Sequence, residues 1–108
     1  MSRYAVVFCT AGSEVEAAGI ARALVDRRLA ACVNVLPGVN STYRWQGVVR
    51  TDAEWLLIVK TSRDRFEEVR VAIRELHSYE IPEIVMLDIE DGDAAYLAWI
   101  DASLKGAD

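Results

Sequence analysis

The chain has 108 residues, 53% of them hydrophobic, and a formal net charge of -5. That length fits one domain, 1–108, and allows a buried core without metal or disulfide staples. Twelve basic residues against seventeen acidic ones, with no basic stripe, exclude a general nucleic-acid binder.

Tyr4 to Thr10, YAVVFCT, is β-branched and aromatic and reads as a strand ended by Ala-Gly-Ser. Ser13 and Glu16 have capping-box spacing at the start of a helix running to about Arg28. Ala17, Ile20, Ala21 and Leu24 form its apolar stripe, and Arg27 and Arg28 suit its C-terminal dipole. ACVNVLPGVNSTYRW reads as extended chain with a turn or bulge at Pro37-Gly38. Proline cannot donate to a ladder, so this strand is bent there or lies at an edge. QGVVRTD brings the chain around into a long strand, Ala53 to Thr61. Ser62 suits the N-cap of a helix with Phe66, Val69, Ile73 and Leu76 on one face. ELHSYEIPEI connects it to a fourth strand, Ile84 to Glu90, and Pro82 holds Ile81 extended. A last helix is capped by Asp91 or Asp93, with Leu97, Ile100 and Leu104 inward.

The order predicts an α+β fold, a ferredoxin-like βαββαβ antiparallel sheet with a C-terminal helix. The strands do not alternate as a sheet with one wet face should: Trp55 to Val59 is apolar at every position. Two helices cover one face, and the other would expose more apolar surface than a monomer tolerates. A homo-oligomer packed through its sheets is therefore expected; the pattern does not set its number.

His77, the only histidine, reads as a metal ligand or general base, or as a helix-end residue facing the last carbonyls. Cys9, at a strand end, reads as a soft ligand or as a core thiol, and Cys32 has the same two readings. Tyr43 and Trp45 flank Arg44 on one strand face and suit a ligand pocket or a subunit anchor. Tyr79 and Glu83 are candidates for the same pocket or interface. The acids Glu75, Glu80, Glu83, Asp88, Glu90, Asp91 and Asp93 offer carboxylates without a fixed geometry. No nucleophile elbow, phosphate loop, dinucleotide loop or HExxH is present, so neither an enzyme nor an organic cofactor is expected. Two cysteines define no disulfide framework, and the N-terminal apolar run is too short for a leader or a membrane span. The expectation is a soluble, cytoplasmic chain without membrane or nucleic-acid partners.

The ordered segments FCTAGSE, LAACVNVLPGVNSTYRWQG, EWLLIVKT, LHSYEIPEIVMLDI and YLAWIDASL resemble the CutA family of divalent-cation tolerance proteins over essentially the whole chain. The resemblance implies a tight homotrimer similar to the PII signalling proteins. It also implies tolerance to copper and other divalent metals, with Cys9 and His77 as metal ligands. A sulfur and an imidazole suit copper or zinc better than magnesium or calcium. Ser78 stands where the family motif has proline, and Leu76 where some members carry a second histidine. Two functions are thereby expected: a non-enzymatic metal-binding protein, or a PII-like signalling or scaffolding trimer binding a small anion or protein at subunit clefts.

Overall fold

In the computed structural model, which describes residues 3–106, the chain folds as seven elements. They are β1 (Tyr4–Ala11), α1 (Glu14–Asp26), β2 (Cys32–Trp45), β3 (Val48–Ser62), α2 (Phe66–Leu76), β4 (Val85–Asp88) and α3 (Ala94–Lys105). The ends of the expected 1–108 domain, residues 1–2 and 107–108, lie outside the described residues. The strands form one antiparallel sheet in the order β2-β3-β1-β4, as the βαββαβ order requires.

Strand alternation decides where the core sits. Along β1, Ala5, Val7, Cys9 and Ala11 are buried, while Tyr4, Val6, Phe8 and Thr10 are half-buried. The first set meets the helices: Ala17, Ile20 and Leu24 of α1 and Val69, Ala72 and Ile73 of α2 close over Leu57 and Val59 of β3. Leu76 departs from the expected stripe and is exposed, because α2 ends there and the chain turns extended at His77. Ser62 does not cap α2. Its hydroxyl bonds the Asp64 carboxylate, and a single 3-10 turn, Arg63–Arg65, leads into the helix.

The cap of α1 is half as expected. The Glu16 N–H donates to Ser13 Oγ at 3.1 Å, but the Glu16 carboxylate turns toward Ser78 and His77. Arg28 also departs from its expected role. It leaves α1 in the left-handed region at φ 56° and donates to the Ser103 carbonyl at 2.8 Å. Arg65 donates to the Leu104 carbonyl at 3.1 Å. These two guanidinium groups thus satisfy the C-terminal carbonyls of α3, where cationic charge also suits the dipole. Asp93, not Asp91, caps α3. Ile100 and Leu104 pack with Ala31, Tyr4 and Leu97 as a second small core. Tyr4 alternates with Ala5, so α3 covers one end of the sheet's second face. The rest of that face carries half-buried Val6, Phe8, Leu56 and Ile58. It also carries Leu36, Val85 and Leu87, which are between 40% and 48% exposed.

β3 begins at Val48, well before the expected Ala53. Gln46 and Gly47, at φ 50° and 82°, reverse the chain by themselves. Two positive-φ residues between strands make the turn whose twist matches a hairpin. The bulge falls where Pro37-Gly38 signalled it. Leu36 pairs with Leu56 and Val39 with Glu54, so two residues stand opposite Trp55 alone. β2 is an edge strand, where a missing N–H is tolerated.

That one extra residue re-aims the outer half of β2. Val33 and Val35 pair with Val59 and Leu57 and face the helices. Beyond the bulge, Val39, Ser41 and Tyr43 pair with Glu54, Asp52 and Arg50, which belong to the other face. A one-residue shift exchanges the faces of everything that follows.

Candidate functional site

The end of β1 gathers residues from four elements. Cys9 is fully buried, with its thiol 3.7 Å from the Thr10 carbonyl oxygen. Burial pushes the thiol up to about 12, helped by the nearby carboxylates of Glu83, Glu16 and Glu54. At neutral pH it is a thiol, not the thiolate that binds metals or attacks electrophiles.

His77 follows α2, and its N–H donates to the Ile73 carbonyl at 2.9 Å. Its side chain is fully buried. Nε2 donates to the Thr10 carbonyl at 2.7 Å, and Nδ1 accepts the Tyr79 N–H at 3.0 Å. The Nε2–H tautomer fills both roles. Glu16 Oε1 lies 3.2 Å from Nδ1 and accepts the Ser78 N–H at 3.3 Å. Cys9 and His77 therefore reach the same carbonyl oxygen, and both ring nitrogens are engaged.

The Tyr79 ring lies 4.6 Å from that of His77. Its hydroxyl donates to Glu54 Oε2 at 2.7 Å. Burial first, and then this bond, hold the phenol above its ordinary range. A Cβ on Gly12 would stand 2.8 Å from the Tyr79 hydroxyl, so the phenol needs a glycine beneath it. Gly12→Ala is expected to displace Tyr79 and leave Glu54 without its donor, lowering stability by about 1–3 kcal/mol. Urea denaturation measures this; an unchanged midpoint would mean that Tyr79 shifts and keeps Glu54.

Tyr43, Trp45, Tyr79 and Glu83 line one groove of about 640 Å³, together with Thr10 and Glu54. Glu80 joins them at this groove, whereas Glu75 and Asp88 pair with Arg27 and Arg63. Cys32 lies elsewhere, half-buried in β2 opposite Lys60. Two site residues carried no usable sequence signal. Glu16 read as a capping residue, and Glu54 drew no reading of its own within the strand from Ala53 to Thr61. The one hint for Glu54 is that it shares parity with Leu56 and Ile58, a face expected to be covered. Among the described residues, no three or more His, Cys, Asp or Glu side chains converge as an ion cage. No helix among them is long and apolar enough to cross a membrane.

The sheet order, the two helices on one face and the buried cysteine–histidine end of β1 define a ferredoxin-like α+β protein with a polar groove at one sheet end. The family model described as CutA1 divalent ion tolerance protein matches residues 5–103. The chain belongs to this CutA family. A divalent-cation tolerance protein CutA from Thermus thermophilus is 50% identical over 95 residues, 88% of this chain and 92% of that protein. The crystal structure of CutA from Xylella fastidiosa matches with a TM-score of 0.93 and 38% identity, covering 95% of this chain and 99% of that one. A CutA from Archaeoglobus fulgidus, described as periplasmic, matches with a TM-score of 0.91 and 39% identity, covering 94% of this chain and 98% of that one.

Proposed function

We propose that this chain serves divalent-cation tolerance as a non-enzymatic, cytoplasmic homotrimer that takes up a soft or borderline divalent metal, copper included, at the end of β1. The observation that carries this reading is the meeting of Cys9 and His77 at the Thr10 carbonyl under the field of Glu16, Glu54 and Glu83. The negative field of these carboxylates favours a cation near the sulfur and the imidazole, although among the described residues the side chains do not converge as an ion cage. The apolar strip of Phe8, Ile58, Val85 and Leu87 supports packing through the sheets, and the number three is what the family resemblance implies. The buried, unpaired Cys9 thiol suits a reducing compartment.

As folded, Cys9 keeps its proton and His77 has both nitrogens bonded, so metal uptake must displace the Thr10 bond and release a proton. The affinity is therefore expected to rise with pH, roughly tenfold per unit for a single thiol proton. Calorimetric titration with Zn(II) and Cu(II) on wild type, Cys9→Ala and His77→Ala checks this. Loss of binding in both variants, with the pH slope, supports the reading; unchanged affinity in both removes the site.

A second reading, a PII-like signalling trimer with a ligand in a cleft, is favoured by the groove of Tyr43, Trp45, Tyr79 and Glu83. Its carboxylates suit a cationic ligand better than the small anion first expected.

A further inference from the structure

The ring of His77, the only histidine in the chain, joins two places. On one side Nε2 donates to the Thr10 carbonyl at 2.7 Å, the oxygen that the Cys9 thiol also approaches. On the other side Nδ1 accepts the Tyr79 N–H at 3.0 Å. Tyr79 in turn walls the groove and bonds Glu54 through its hydroxyl at 2.7 Å. The His77 side chain is fully buried, so neither of its bonds is lost without a cost unless another group takes its place.

A neutral imidazole carries one proton, so one nitrogen donates while the other accepts. An ion shared with the Cys9 sulfur takes the lone pair of Nε2, the nitrogen on the side of Cys9. The Nε2 proton then leaves to solvent and Nδ1 takes one up, and the charge of the ring does not change. Nδ1–H and the Tyr79 N–H become two donors facing each other, which cannot remain at 3.0 Å. An acceptor for the relocated proton is already in reach: Glu16 Oε1 lies 3.2 Å from Nδ1. It accepts the Ser78 N–H at 3.3 Å and has a second lone pair for the ring. Carboxylates in this outer position fix the tautomer and orientation of imidazoles that ligate metals. The Tyr79 N–H has lost its acceptor, and the segment that carries the phenol is freed to move.

We propose that His77 is a two-position relay: ion uptake at Nε2 shifts the ring proton to Nδ1, Glu16 receives it, and Tyr79 is released, which carries the event to the groove wall. This relay rests on the metal reading above. It adds the residue that sets the tautomer and the segment that reports it.

The test is nitrogen-15 NMR of the full chain titrated with Zn(II) chloride, because a sole histidine gives a single ring pattern. Without zinc the proton is expected on Nε2. With zinc it is expected on Nδ1, and hydrogen exchange at the Tyr79 amide should quicken by roughly tenfold or more. Glu16→Ala should weaken zinc binding by about 10–100-fold, and Glu16→Gln, which keeps an acceptor oxygen, should restore most of it. Zinc bound with the proton still on Nε2, or with Tyr79 exchange unchanged, overturns the relay and leaves the metal reading standing. Undiminished zinc affinity in Glu16→Ala overturns it in the same way. Absence of zinc binding in the wild type removes the metal reading itself, and the relay with it.

Discussion

Val85→Asp combined with Leu87→Asp is expected to turn the assembled protein into a 12.0 kDa monomer in light scattering. Both side chains lie on β4, 46% and 48% exposed in the single chain. Val85 pairs with Phe8, and Leu87 with Val6, so they continue the apolar strip that α3 leaves bare. In an isolated chain the two new carboxylates reach water, and changes at such positions stay within about 0.5 kcal/mol. In packed sheets each would be buried without a partner, a cost of several kcal/mol per ion, repeated at every interface. Retention of the folded monomer is checked by circular dichroism. A wild-type protein that is itself monomeric, or a variant with unchanged mass, would sink the sheet-packed assembly.

Cys9 is expected to react with a disulfide reagent about a thousandfold more slowly than an ordinary thiol, from thiolate content alone. The thiol is raised from 9.0 to about 12, chiefly by burial and then by Glu83, Glu16 and Glu54. A Cys32→Ser background isolates it. The same displacement sets the alkaline stability. Below pH 9.0 the thiol is protonated in both folded and unfolded chains and contributes no pH dependence to stability. Between there and about 12 the unfolded chain loses the proton and the folded chain keeps it, so stability falls as pH rises. Each unit crossed costs about 1.4 kcal/mol. Tyr79, also raised, adds a loss of the same sign at higher pH. Urea midpoints near pH 8 and above pH 10 measure the fall, and Cys9→Ala should flatten it. Rapid labelling of Cys9 in the folded protein would contradict the buried thiol.

The order of elements was legible because local signals agreed. The β-branched and apolar runs, the helical spacing (Leu76 apart), the Ser13 cap and the Pro37-Gly38 bulge all depend on residues close in sequence, and each stands where the pattern put it. Besides Leu76 and Ser62, three further readings moved. Arg28 reached α3, Glu16 reached the loop after α2, and the turn shrank to Gln46-Gly47. In the first two a long side chain chose a distant partner over the local one. In the third, two left-handed residues sufficed, and Val48 and Val49 were free to extend the strand.

The sequence by itself determined the family, the βαββαβ order, the buried face of each helix and the excess of apolar surface on the sheet. Those properties follow from periodicity and from a sufficiently specific ordered set of segments. Only the tertiary structure decided that His77 spends both ring nitrogens on Thr10 and Tyr79, that Glu54 is the buried acid of the groove, and that Tyr43 lies on its side of the sheet. Each depends on contacts between residues far apart in the chain. The last depends on the bulge: Pro37-Gly38 signalled its place, but only the pairing of β2 with β3 shows the one-residue shift that exchanges the faces of all that follows.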